Sequence, residues 1–144
     1  MYIGIDIAKL KFDVALLDAG NKYKHKSFKN TPAGFADFFS WCQSLGAQDA
    51  HFCMEATGIY YEALANFLFD KKCNISVTNP AQIAAFAQSV LSRVKTDKAD
   101  AKLIARFCQA MNPPLFTPLP ANIRQLQALV RRMECMRAAQ PPTH

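Results

Sequence analysis

The stretch Tyr2-Ile3-Gly4-Ile5-Asp6-Ile7 decides how this chain is read, because it sets one carboxylate inside a run of β-branched apolar residues. Such a run predicts a short strand, apolar on both sides of Asp6. Burying a carboxylate there is costly unless the group is paired or held on a metal ion. Outward from it, Phe12 to Leu17 reads as a second strand, and Ala19-Gly20-Asn21 as the turn that follows. Tyr23 to Phe28 alternates Lys with Tyr, His and Phe, the pattern of an edge or solvent-facing third strand. Short links between these three strands predict an antiparallel meander.

Thr31-Pro32 then opens a helix: Thr31 can cap it and Pro32 is preorganised for the first helical position. Phe35, Phe38, Phe39, Cys42 and Leu45 recur on one face, and Gly46 stops the run. Ala50 to Met54 predicts a buried strand, Tyr60 to Phe69 a helix with Leu64, Phe67 and Leu68 inward, and Asn74 to Thr78 a fifth strand. Asn79-Pro80 opens a third helix to about Val90, and Asp97 to Met111 reads as a fourth with Leu103, Ile104 and Phe107 inward. Residues 112–120, rich in proline, read as a linker after a domain spanning 1–111. Residues 121–144 carry a last helix, with Leu126, Leu129, Val130, Met133 and Met136 opposite Arg124, Arg131, Arg132 and Arg137. A meander followed by βα units predicts a mixed α/β sheet of five strands with flanking helices, the ribonuclease H-like order.

At 144 residues, 51% hydrophobic and 19% charged, the chain suits one ordinary domain rather than a disordered segment. Lys9 and Lys11 interrupt the first apolar run, so nothing approaches the ~20 residues of a membrane span. The N-terminus lacks the basic start and unbroken apolar block of a signal peptide. Five cysteines, without any Cys-x-x-Cys, read as small buried hydrophobes in a reducing cytoplasm. The net charge of +6 suits a polyanionic partner. Every arginine lies at or beyond Arg93, which makes the C-terminal part the better candidate contact surface.

Only eleven acids are present, so each can be weighed singly. Asp6 and Glu55 sit on apolar strands, whereas Asp97 and Asp100 are spaced i, i+3 at a helix start. Such a set could hold two hard divalent cations with oxygen ligands. The plainer alternatives are a helix cap for Asp97, a surface position for Asp100 and a lysine partner for Glu55. Asp13, Asp18, Asp37, Asp49, Glu62, Asp70 and Glu134 read as turn or solvated positions. Lys9, Lys11, Lys95 and Lys98 flank the acids, as phosphate contacts or as neutralising neighbours. His25, His51 and His144 show no ligand or triad spacing, and no P-loop is present.

Gly4-Ile5-Asp6-Ile7-Ala8-Lys9, Met54-Glu55-Ala56-Thr57-Gly58-Ile59-Tyr60, Asn79-Pro80 and Lys95-Thr96-Asp97-Lys98-Ala99-Asp100-Ala101 together resemble the Piv/MooV-type DEDD transposases of the insertion-sequence one-ten group. The resemblance runs from about Met1 to Arg137. It implies an N-terminal domain similar to the RuvC Holliday-junction resolvase. Its four acids fall on Asp6, Glu55, Asp97 and Asp100, as catalytic ligands of Mg2+ with Mn2+ as substitute. It also implies DNA as substrate, a structured guide RNA, homo-oligomers, and a second domain with a DNA-attacking serine. Nothing here matches that serine domain; Ser40, Ser44, Ser76, Ser89 and Ser92 lie within the first domain and inherit no such role. The helix after Pro120 resembles the start of the connecting helix, whose apolar stripe predicts an oligomer contact. Nucleic-acid contacts are expected at Lys9, Lys95, Lys98, Arg124, Arg131 and Arg132.

The leading expectation is therefore the metal-dependent, strand-cutting domain of a DNA transposase, incomplete by itself. The alternatives are a stand-alone Holliday-junction-type nuclease, and a non-catalytic nucleic-acid-binding or dimerisation module. An actin-like sugar kinase also begins on a Gly-Ile-Asp strand, but Ala8-Lys9-Leu10-Lys11 lacks the glycine and threonine it would need next.

Overall fold

A computed structural model describes residues 1–90, 100–118, 129–130 and 132–133. In chain order the elements are β1 (Tyr2–Ile7), β2 (Lys11–Leu17), β3 (Tyr23–Lys29), α1 (Pro32–Ser44), β4 (His51–Glu55), α2 (Glu62–Asp70), β5 (Asn74–Thr78), α3 (Pro80–Val90) and α4 (Ala101–Met111). The five-stranded sheet runs β3-β2-β1-β4-β5. β1, β2 and β3 pair antiparallel, whereas β4 lies parallel to both β1 and β5. A meander, a crossover and two parallel strands around a central β1 constitute the ribonuclease H-like topology.

Alternation divides the sheet into two faces. Ile3, Ile5, Val14, Phe52 and Met54 point toward α1 and α2, where Phe35, Phe38, Leu64 and Leu68 complete the larger core. The opposite face carries α3 and α4, with Ile83, Leu103, Ile104, Phe107 and Cys108 packed around Cys53. Gly4 makes that second layer possible: a β-carbon there would run into the Ala101 carbonyl and the Ala105 amide.

Helix starts show local chemistry at work. Thr31 takes an extended backbone and its hydroxyl accepts from Gly34 N–H at 3.1 Å, with Pro32 in the first helical position. The second helix begins at Glu62 rather than Tyr60, because Gly58 adopts φ +62° and residues 58–61 turn first. The fourth begins at Ala101 rather than Asp97. Asp100 is its N-cap, extended at φ −97° and ψ 173°, with its carboxylate accepting from Leu103 N–H at 2.8 Å. An i, i+3 face shared by Asp97 and Asp100 is thereby corrected: the helix starts only after Asp100. Asp97 itself lies outside the described residues.

Beyond α4, Asn112 enters the left-handed region and the chain turns back along the sheet. Phe116 N–H donates to the Ile75 carbonyl at 2.6 Å, and Ser76 Oγ–H to the Pro113 carbonyl at 3.1 Å. The predicted last helix is described only at 129–130 and 132–133, which are helical and exposed.

Candidate metal and nucleic-acid site

Asp6 lies one residue short of the end of the central strand, on the face that Gly4, two residues earlier, opens to α4. The antiparallel register sets Asp13 directly beside it on β2. On the other flank the β1–β4 register runs to Ile5 and Met54; Glu55 is the next residue of β4 and pairs onward with Thr78. Because Gly4 touches Ala101, the cap residue Asp100 comes to rest over the same end of the sheet. The sequence thus places strand ends and a helix start at one point, where α4 ceases to cover the sheet.

An open cleft of about 650 Å³ lies there, walled by Asp6, Asp13 and Asp100 and rimmed by Lys11, Lys26, Lys102 and His25. Asp13 accepts from Ser27 Oγ–H at 2.5 Å and sits 3.9 Å from Lys11 Nζ, an exposed pair of little energetic weight. Lys102 Nζ lies 5.5 Å from the Tyr23 ring centre. Burial raises the Tyr23 hydroxyl's pKa; nearby Arg106 opposes that rise and Asp100 adds to it. Asn30 ties the surrounding loops together: its side-chain amide donates to the Ala8 carbonyl at 3.0 Å and the Tyr60 carbonyl at 3.2 Å. Those carbonyls belong to the loops leaving the Asp6 and Glu55 strands.

Of the four expected acids, Asp6 and Asp100 share the cleft wall, while Glu55 stands on the adjacent strand outside that wall. Asp97, Lys95, Lys98, Arg124 and Arg131 lie outside the described residues. Lys9 occupies the bend after β1, exposed and away from the cleft lining, and Arg132 is exposed. Sequence reasoning missed Asp13, His25, Lys26 and Lys102 as cleft residues. The usable signal was the three-strand meander: once Asp6 faces Asp13, the flank of β3 follows.

The donors are hard carboxylate oxygens, which suit magnesium better than a soft metal. Among the described residues, no three His, Cys, Asp or Glu gather into a metal-holding group. The described part of the site is thus a partial carboxylate set, with matching donor chemistry. The described cysteines are buried thiols: Cys42, Cys53, Cys73 and Cys108. Burial, with Cys73 nearby, pushes the Cys42 thiol up to about 12.

The topology and acids at the sheet's end define a ribonuclease H-like domain with a carboxylate-lined cleft. The chain belongs to the IS110-type DEDD transposase family, whose model, described as Transposase, matches residues 3–138. It is 40% identical over 135 residues to the pilin gene-inverting protein of Moraxella bovis, covering 92% of this chain and 42% of that protein. The pilin gene-inverting protein of Moraxella lacunata is 39% identical over 135 residues, with the same coverage of 92% and 42%. The chain therefore spans less than half the length of these relatives. Among solved structures, RuvC of Thermus thermophilus superposes with a TM-score of 0.48 at 12% identity, covering 78% of this chain and 97% of that one. No described helix is long and apolar enough to cross a membrane.

Proposed function

We propose that the chain is the metal-dependent catalytic-type domain of a DNA transposase, serving strand cleavage and transfer during movement of an insertion sequence. The supporting observation is the cleft in which Asp6 and Asp100 meet under a rim of lysines. Asp6, Glu55, Asp97 and Asp100 are the residues that would hold Mg2+, or Mn2+ in its place. When bound, the ion supplies a Lewis acid for a phosphoryl oxygen and acidifies a water. The chain's own residues do the rest. Lys11, Lys26 and Lys102 contact phosphates and hold the strand across the carboxylates. Asn30 ties together the loops that leave the Asp6 and Glu55 strands, which steadies the ends where the two carboxylates sit.

Residues 1–111 form this domain, 112–120 link it, and 121–144 begin a helix that pairs copies of the chain. A further domain with a nucleophilic serine, a guide RNA and a homo-oligomer complete the reaction in this reading. The buried thiols accord with a cytoplasmic setting.

A manganese titration by calorimetry, beside Asp6→Asn, tests the reading. Binding weakened at least about tenfold in the variant supports it. Equal affinity in both chains rejects the acid assignment. The competing reading is a non-catalytic nucleic-acid-binding module. That reading predicts salt-sensitive DNA binding with no manganese affinity in either chain.

A further inference from the structure

β3 is the outer strand of the sheet, and its free edge carries Lys24, Lys26 and Lys29 without an acid on the strand. Lysines on an open edge oppose the addition of another protein strand, and they suit a chain of phosphates. A second cleft, of about 660 Å³, lies between this edge and α1. It shares Lys26 and Ser27 with the acidic cleft, so the two grooves meet across the edge strand. Its chemistry differs from that of the first. Lys26, Lys29, Phe28 and Trp41 line it, and Asp37 supplies its one carboxylate. Lys26 Nζ stands 5.5 Å from the Phe28 ring centre, and Phe28 and Trp41 meet edge-on at 5.9 Å. Cations beside a half-buried indole form the combination that grips a single strand by its phosphates and stacks a base. A lone carboxylate among lysines does not make a metal site.

We propose that this groove carries the single strand of DNA that leaves the acidic cleft, with Lys26 at the crossing, Lys29 along the wall and Trp41 as the stacking surface. The proposal rests on the reading of the acidic cleft as a DNA-processing site, and the continuity of the two grooves selects DNA as the occupant.

Trp41 is the only tryptophan in the chain, so its fluorescence reports on this groove directly. The full chain is titrated in chelator, without divalent metal, with oligothymidylate and with oligouridylate of equal length. Oligothymidylate is expected to quench Trp41. In K26Q/K29Q the affinity should fall about tenfold, and the slope of log affinity against log salt should flatten by about 1.4. Lys71→Gln, at the C-terminal end of α2 and outside the lining of both clefts, should match the parent. Circular dichroism of K26Q/K29Q confirms that the fold is intact. No quenching, quenching indifferent to the two lysines, or a response to oligouridylate alone overturns the proposal. The manganese titration reports on the acidic cleft separately, so failure of the groove and failure of the catalytic reading are told apart.

Discussion

On one face of the sheet, Ile3, Ile5, Val14 and Phe52 meet Phe35, Phe38 and Leu64 in a closed apolar layer. On the other, Gly4 and Cys53 meet α4, but Asp6, one step further along β1, and its β2 neighbour Asp13 line an open cleft. The strands are the same; the covering helices differ. α1 and α2 complete their layer, whereas α4 begins at Ala101 and leaves the last rung bare. The start of one helix therefore sets where core ends and chemistry begins.

The sharpest break of this contrast is Phe38→Ala. Phe38 is fully buried and packs edge-on against Phe12 and Phe52, so its loss should cost about 3–5 kcal/mol of stability in urea unfolding. Manganese affinity of the folded fraction should stay unchanged, since that layer holds none of the carboxylates that line the acidic cleft.

Gly4→Val tests the coupled face. The added carbons must lift α4, at roughly 1–3 kcal/mol or more. Here manganese affinity should fall together with stability, because Asp100 rides on the displaced helix.

Asp100 separates its two duties at smaller cost. Asp100→Ala should lose about 1 kcal/mol through the missing cap. Asp100→Ser should recover most of that stability while metal affinity stays reduced. Recovery of both would make Asp100 a cap and nothing more.

The smallest effect concerns His51, at the end of the sheet away from Asp6. Burial lowers its pKa below the ordinary 6.5, and its Nε2–H donates to Ser76 Oγ at 2.6 Å. The folded state thus disfavours the imidazolium. Stability is full above pH 6.5 and declines as pH falls from there toward the folded pKa. His51→Gln should flatten that segment of a stability-versus-pH curve and leave the metal site alone.

Much of this was legible locally. The isoleucine run around Asp6, the Lys alternation of β3 and the Thr31-Pro32 cap each express themselves within a few residues. Helix starts near Tyr61 and Asp100 were harder. Tyr61 makes no side-chain cap bond, and two aspartates compete for one cap at α4. Asp13 was read as a solvated position because its role depends on cross-strand register, which no local pattern encodes. Glu55 and Asp97 were candidates from strand placement and spacing, and the family resemblance gave them their expected role as metal ligands.

The segment after α4 has a mechanical consequence. Phe116 is bonded to Ile75 at the outer flank of β5, and its ring packs against the larger core. Tension arriving through residues beyond it is met first at that edge, two strands removed from β1. Pulling there loads Phe116 and the Ser76–Pro113 bond before it reaches the strand of Asp6. The segment acts as strain relief: displacement of the chain beyond Phe116 is taken up at β5 before it can shift the carboxylates.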